Sequence, residues 1–366
     1  MADADGGPAA KAAAKKRRVG DKQLRDEVAT CYAASCGMCR RNCPIYNITG
    51  RMVHSSTGKN RVIRGYMEGK VKPSKELVDA VFTCTLCGNC DVMCAVPNTE
   101  HFIALRQELV EKGFLVGALD EVAKNVERTG SIYAQPMAEP RPGKVTVYAG
   151  CRWGYRANTL KKILQVLEIA GFEPRILEEV CCGYPLRVFG FKERYERNRR
   201  LVIERLGGEE EVLTLCPTCT VELVEECGLP ARHALSAVAE RIPKLEVKHP
   251  LKAVVTYHDP CHNARYMGIV EEPRALLRHI GATLVEMPSH GAHTTCCGGG
   301  GGLSSTRSDL SKEVARARVR EAMATGAEVL ATDCPTCFSN LREAAQDMGA
   351  PMKVALVWEL LLKALK

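Results

Sequence analysis

At 366 residues with 46% apolar side chains, the chain is long enough for two or three domains and a sizeable core. Its formal charge of +8 comes partly from a leader in which Lys11, Lys15, Lys16, Arg17 and Arg18 face only Asp3 and Asp5. Elsewhere the basic residues are dispersed and aromatics make up 5%, which argues against nucleic-acid binding. The start lacks the apolar stretch of a signal peptide, and no run is apolar enough to span a bilayer. A soluble, cytoplasmic protein of a reducing compartment is expected, with peripheral attachment to the inner face of the membrane through a partner as a variant.

Residues 1–20 read as a disordered basic leader, with contact to anionic lipid or an acidic partner as the alternative. Residues 21–130 read as a helical module whose two cysteine runs lie on loops. Ser74 is a predicted N-cap for the helix over SKELVDAVFTC, and the stretch from His101 to Val126 reads as helix interrupted near Gly113. Residues 131–143, rich in Pro and small side chains, are the expected linker.

The second cysteine run, Cys84, Cys87, Cys90 and Cys94, has the C-x2-C-x2-C-x3-C spacing of bacterial ferredoxins, although the usual proline is displaced to Pro97. In the first run, Cys36, Cys39, Cys43 and Pro44 fit the same pattern, but the position of the first ligand, residue 33, is alanine. Cys31 stands two residues too early. A two-residue insertion restores the match; a three-cysteine site with a smaller or labile cluster is the alternative. By interleaving, Cys31, Cys36, Cys39 and Cys94 are expected to hold one cubane [4Fe–4S] cluster, and Cys43, Cys84, Cys87 and Cys90 the other. Zinc is the competing reading of any CxxC pair, and the third and fourth cysteines in ferredoxin register count against it.

Beyond the linker lies an internal repeat, placed at 144–250 and 251–366. KVTVYAGCRWGY parallels KAVVTYHDPCHNA, VCCGYP parallels TCCGGG, and EVLTLCPTCTVEL parallels EVLATDCPTCFSNL, with cysteine offsets of 110, 115 and 118 residues. Strand patterns alternate with helical ones, so each repeat is expected to be an α/β unit with a small parallel sheet and cysteines at strand C-termini. The first set is Cys151, Cys181, Cys182, Cys216 and Cys219; the second is Cys261, Cys296, Cys297, Cys334 and Cys337. Adjacent cysteines fit neighbouring irons of a cluster better than one tetrahedral ion. Pro217 and Pro335 suit a first helical turn, where the helix dipole favours thiolate.

The pattern C…CCG…CPxC, present twice behind a two-cubane module, resembles the CCG-domain iron–sulfur proteins, and in its layout the D subunit of heterodisulfide reductase, from about residue 28 onward. The resemblance implies an α/β protein with an α-helical N-terminal module. It implies that each five-cysteine set holds a noncubane [4Fe–4S] cluster, that these ten cysteines are catalytic, and that the two clusters face each other across a disulfide of the coenzyme M–coenzyme B type. Two cubane clusters would feed them. With no flavin, heme or membrane segment recognisable, a partner must donate electrons: a membrane cytochrome b, or a soluble flavoprotein. The second reading is an electron-transfer subunit serving a 2-hydroxy-acid or glycerol-3-phosphate dehydrogenase; a third is a non-catalytic scaffold.

Other motifs have blander explanations. CPTC alone could be a thioredoxin-type pair, but the CCG upstream favours a cluster. Gly298 to Gly302 lacks the Lys–Ser or Lys–Thr of a phosphate loop, and close backbone packing against a cluster accounts for it better. His258, His262, His290 and His293 are read as hydrogen-bonding or packing around the clusters, with proton donation as the alternative. Arg152, Arg156, Arg187 and Arg265 could receive anionic substrate groups, or serve in surface salt bridges. Cys227 reads as a small buried hydrophobe on a helix.

Overall fold

The protein is described here from a computed structural model covering residues 19, 21–135 and 137–366; the leader cations Lys11 to Arg18 lie outside these residues. Among the described residues eight α-helices build the N-terminal part. They are α1 (Lys22–Ala34), α2 (Met38–Arg41), α3 (Pro44–Thr49), α4 (Ser56–Met67), α5 (Lys75–Phe82), α6 (Asn89–Val92), α7 (Asn98–Glu111) and α8 (Gly117–Thr129). The Ser74 hydroxyl accepts from the Leu77 N–H at 3.2 Å, capping α5 as its residue type predicts. The long helical pattern breaks between α7 and α8 around Gly113, also as expected. The cysteine runs are not confined to loops as expected: Cys31 lies in the last turn of α1, Cys39 in α2 and Cys90 in α6, while Cys36, Cys43, Cys84, Cys87 and Cys94 lie on the turns between helices.

The rest of the chain forms two four-stranded sheets in which every pairing between named strands is parallel. The first comprises β1 (Val145–Tyr148), β2 (Pro174–Arg175), β3 (Val212–Thr214) and β4 (Ala231–His233). The second comprises β5 (Val254–Tyr257), β6 (Thr283–Leu284), β7 (Val329–Thr332) and β8 (Lys353–Leu356). Their orders, β2-β1-β3-β4 and β6-β5-β7-β8, are the same topology twice. Parallel neighbours require crossovers, here the helices Ala157–Ile169, Lys192–Leu206 and Ser308–Met323 among others. The central strands β1, β3, β5 and β7 are almost wholly buried, which explains their β-branched, apolar composition.

The fold is therefore α/β behind an α-helical N-terminal module, as expected. The two sheets share one continuous apolar core, running from Val147 and Trp153 through Leu276 to Trp358. The helical module shares a second core with the first sheet's outer helices, through Phe102, Leu186, Phe189 and Tyr195. The segment after α8 is more than a connector: Arg141 pairs with Ile176, and Tyr133 stacks on Tyr155 with ring centroids 4.3 Å apart. Among the described residues no helix is long and apolar enough to cross a membrane.

Candidate iron–sulfur site

In each sheet the chain runs outward from the first strand to one side, then returns to the other. This leaves a crevice at the carboxyl ends of β1 and β3, and likewise of β5 and β7. Open parallel sheets bind ligands at such switch points. Cys151 follows β1 and Cys216 follows β3; Cys261 follows β5 and Cys334 follows β7. Cys181–Cys182 and Cys296–Cys297 lie on the loops after the edge strands β2 and β6. The glycine of each CCG is required by its backbone: Gly183 has φ +92° and Gly298 has φ +85°. At Gly298 an added Cβ would also lie 2.5 Å from the Ser311 carbonyl oxygen.

All ten cysteines of the two sets line a single cavity of about 150 Å³. Within the first set, hydrogen-bonding contacts run Cys151–Cys181–Cys182–Cys219–Cys216. Within the second they run Cys261–Cys296–Cys297–Cys337–Cys334, the same order by repeat equivalence. Across the cavity, Cys334 feels the charge of Cys216. Pro217 and Pro335 open helices with Cys216 and Cys334 as N-caps. Hydrogen bonding from Cys219, then from the backbone N–H groups of Cys219 and Thr218, draws the Cys216 thiol down to about 7 against the opposing effect of burial.

The N-terminal cysteines are brought together in two groups. Cys31 lies within electrostatic reach of Cys36, Cys39 and Cys94, with Asn60 Nδ2 3.4 Å from its sulfur. Cys43, Cys84, Cys87 and Cys90 line a second, smaller cavity with Lys59. Lys59 is fully buried, and its ammonium donates to the His54 carbonyl at 2.7 Å among those thiols. The two groups differ in setting. Cys36 is exposed, whereas Cys87 is buried and hydrogen-bonds Cys296 of the large cavity.

That junction is built from backbone. Gly299 to Gly302 line the large cavity, and the far side of this run rests on the ferredoxin-type loop. A Cβ at Gly301 would stand 2.4 Å from the Cys84 oxygen, and one at Gly300 2.8 Å from the Thr85 oxygen. The glycines thus pack both on the cavity and on the module in front of it. Arg106, on α7 and fully buried, fastens the junction. Its guanidinium donates to Val81, Phe82 and Cys84 in the helical module, to Val188 in the first repeat and to Gly301 in the second, at 2.8–3.3 Å. Burial pulls its pKa down to about 10. Arg265 adds a donor to the Cys87 carbonyl at 2.7 Å.

The histidines and arginines divide clearly. His262 lines the cavity, with Nδ1 3.4 Å from Cys261 Sγ and its ring edge-on to Tyr184. His258 Nδ1 accepts from Arg318 Nε at 3.0 Å, its Nε2 is buried with no hydrogen-bond partner among the described residues, and the ring brings a nitrogen within 4.8 Å of the Cys297 and Cys337 sulfurs. Both fit the hydrogen-bonding or packing role. His290 and His293 are exposed and do not line the cavity. Among the four arginines only Arg152 lines it. Arg187 makes ion pairs with Glu100, Glu222 and Glu226, buried rather than at the surface, because Glu222 is itself fully enclosed. Arg265 is spent on the Ala292, Cys87 and Thr294 carbonyls, and Arg156 on Ser339. Cys227 is buried at the end of a π-helical turn (Glu222–Glu226), its thiol pushed up to about 12 by burial. Arg106, Lys59 and Arg318 carry no sequence signal of their own; each sits in an ordinary helical pattern.

The donor set fits a polynuclear thiolate-bound cluster. Five thiols per set exceed what one tetrahedral ion takes. All nineteen cysteines are free, and among the described residues His258, Cys297 and Cys337 are the one group of three whose ligand atoms all lie within 4.8 Å of one another. Comparison with known proteins agrees. A cysteine-rich domain model, CCG, matches residues 145–224 and again 255–342, and a 4Fe–4S dicluster domain model matches 27–97. The D subunit of dihydromethanophenazine:CoB–CoM heterodisulfide reductase from Methanosarcina mazei is 30% identical, over 90% of this chain and 92% of the relative. The B subunit of fumarate reductase (CoM/CoB) from Methanothermobacter marburgensis is 28% identical over 77% of this chain and 61% of its own. An EtfAB:quinone oxidoreductase from Syntrophomonas wolfei is 22% identical over 90% of this chain and 57% of its own. Fold, cysteine geometry and relatives define a CCG-type iron–sulfur subunit of the heterodisulfide-reductase-like oxidoreductases. More narrowly, the chain belongs to the family of heterodisulfide reductase D subunits.

Proposed function

We propose that this chain reduces a small-molecule disulfide, of the coenzyme M–coenzyme B type named for its Methanosarcina relatives, to two thiols. Cys151, Cys181, Cys182, Cys216 and Cys219 would hold one noncubane [4Fe–4S] cluster, and Cys261, Cys296, Cys297, Cys334 and Cys337 the other. Cys31, Cys36, Cys39 and Cys94 would hold an outer cubane cluster, and Cys43, Cys84, Cys87 and Cys90 an inner one. The domains would run 21–130, 144–250 and 251–366. The observation that carries this reading is the opening of both complete five-cysteine sets onto one cavity.

Reduction of a disulfide breaks one S–S bond and consumes two electrons and two protons. Iron–sulfur clusters deliver electrons singly, so two of them facing one substrate meet that demand. The chain's own residues set the rest. Tyr184 and Phe189 wall the cavity and limit water, Arg152 puts a cation on it, and the His258 and His262 imidazoles stand beside the thiols. The inner cysteine group, touching Cys296 through Cys87, is the handover point for electrons from a partner protein. That partner would be a membrane cytochrome b or a flavoprotein.

An anaerobic assay of coenzyme M–coenzyme B disulfide with reduced viologen tests the reading, together with the spectrum of the half-oxidised protein in coenzyme M. Turnover and a thiol-dependent paramagnetic signal are expected; absence of both would overturn it. Fast cluster reduction without disulfide turnover would instead favour an electron relay, the reading supported by likeness to the EtfAB:quinone oxidoreductase.

Lys59 supplies a second check. A buried cation among the inner thiolates favours the reduced cluster, which carries one more negative charge. Lys59→Met should lower the potential of one cubane cluster by on the order of 100 mV, the effect of a unit charge a few ångströms away at an effective dielectric of about 20. Redox-titrated spectra would show it; an unmoved potential would place Lys59 away from the cluster.

A further inference from the structure

The inner cysteine group faces the cavity, so the outer one, with exposed Cys36, is where electrons must enter. The surface around Cys36 is unusual in two respects. From Val28 to Met67 the sequence has Arg40, Arg41, Arg51, Lys59, Arg61 and Arg64 and not one acidic residue. Lys59 is buried, and Arg64 alone is neutralised, by Glu68 at 2.7 Å; Arg41 and Arg51 are exposed and make no ion pair among the described residues.

The same surface carries exposed apolar side chains. Tyr32, Met38, Met52 and Val92 are 50%, 51%, 37% and 38% exposed, and they make up half of the large exposed hydrophobics of the described chain. They belong to one region: α2, with Met38, packs on α3, α4 and α6, and α6 ends at Val92. Arg64 covers the Tyr32 ring at 3.8 Å, and Arg61 donates to the Ser35 hydroxyl beside Cys36 at 2.8 Å.

An apolar centre with a charged rim is the anatomy of a protein interface, and a rim of one sign selects a partner of the other. The geometry points to this face, centred on Cys36 and rimmed by Arg41, Arg51 and Arg61, as the docking site for an acidic electron-donor protein. This rests on the cubane assignment proposed above. A protein fits better than an anionic lipid surface, since headgroups carry no electrons and the face surrounds the most exposed cysteine of the module.

Rapid-mixing reduction of the full cluster-loaded chain tests it, with a reduced acidic ferredoxin as one donor and the cationic methyl viologen radical as the other. With ferredoxin, the rate constant should fall at least about tenfold from low to high salt. An Arg41→Glu/Arg51→Glu double variant should lose at least about tenfold with ferredoxin at low salt, and lose nothing with viologen. Equal losses with both donors would overturn the proposal, because the arginines would then be tuning or stabilising the cluster. A salt-independent ferredoxin rate would overturn it too. So would an unchanged ferredoxin rate in a variant that no longer binds phosphatidylserine vesicles, which would assign the face to lipid. The readout is cluster reduction, not turnover, so failed disulfide reduction with viologen would sink the substrate reading without touching this one.

Discussion

Replacing Cys297 with alanine should abolish disulfide reduction, by at least about a thousandfold, while the cubane signals of the N-terminal module persist. Losses of this order follow when one member of a group acting as a unit is removed. Cys297 is buried, touches Cys296 and Cys337, and stands beside the His258 imidazole. Its main partners belong to its own repeat, and Gly299 of the glycine run packs against its sulfur. The control is Cys227→Ala, which removes the one cysteine outside the four motifs and should retain turnover. Paramagnetic spectra and viologen-driven turnover of the two variants decide the matter. Full activity in the Cys297 variant would break the mechanism, and loss of cubane signals would make its inactivity uninformative. A Cys297→Ser variant, which keeps the shape and a weak ligand, then separates folding from ligation.

Arg106→Met should destabilise the protein by on the order of 4 kcal/mol, seen as a lowered unfolding midpoint, and should make the helical module separable by limited proteolysis. The side chain is fully enclosed and donates to five carbonyls from three parts of the chain. Methionine matches much of its length but leaves those oxygens buried without this donor. Each such loss costs about 1–3 kcal/mol, partly offset because no charge is then desolvated. Arg106→Lys should recover only part of the loss, since one ammonium cannot reach five carbonyls spread around a planar fork. If Arg106→Met left the midpoint and the proteolytic pattern unchanged, the junction would be held by apolar packing alone.

What is legible in the sequence is what is written locally. The strand runs, the Pro after Cys216 and Cys334, the Ser74 cap and the cysteine spacings each lie within a few residues of one another, and the structure realises them. The repeat is readable because its two copies carry the same chemistry in the same order. The junction between the parts is not. Arg106 and Gly301 are 195 residues apart, and a helical arginine between Leu105 and Gln107 has no pattern that says it is buried. The glycine run reads as packing against a cluster; that it also packs on Cys84 and Thr85 depends on a tertiary contact. For Arg187 the sequence leaves a substrate contact or a surface ion pair open, and only the fold shows an ion pair with Glu222, which is enclosed. Lys59 sits in a basic stretch where any of several cations could have turned inward.

The junction at Gly300, Gly301 and Arg106 also bears on how such a protein is made. Nine of the ten cavity cysteines are buried, and the inner N-terminal group is sandwiched against them through Cys87 and Cys296. Iron and sulfide can reach the large cavity by the route that admits the substrate, but the inner N-terminal group lies at a seam of backbone contact and a five-carbonyl staple. On the assignment proposed here, maturation therefore has an order: the inner cubane cluster is inserted while the helical module stands away from the repeats, and docking follows. Iron shortage during synthesis would then leave a chain stalled open rather than an empty copy of the finished fold.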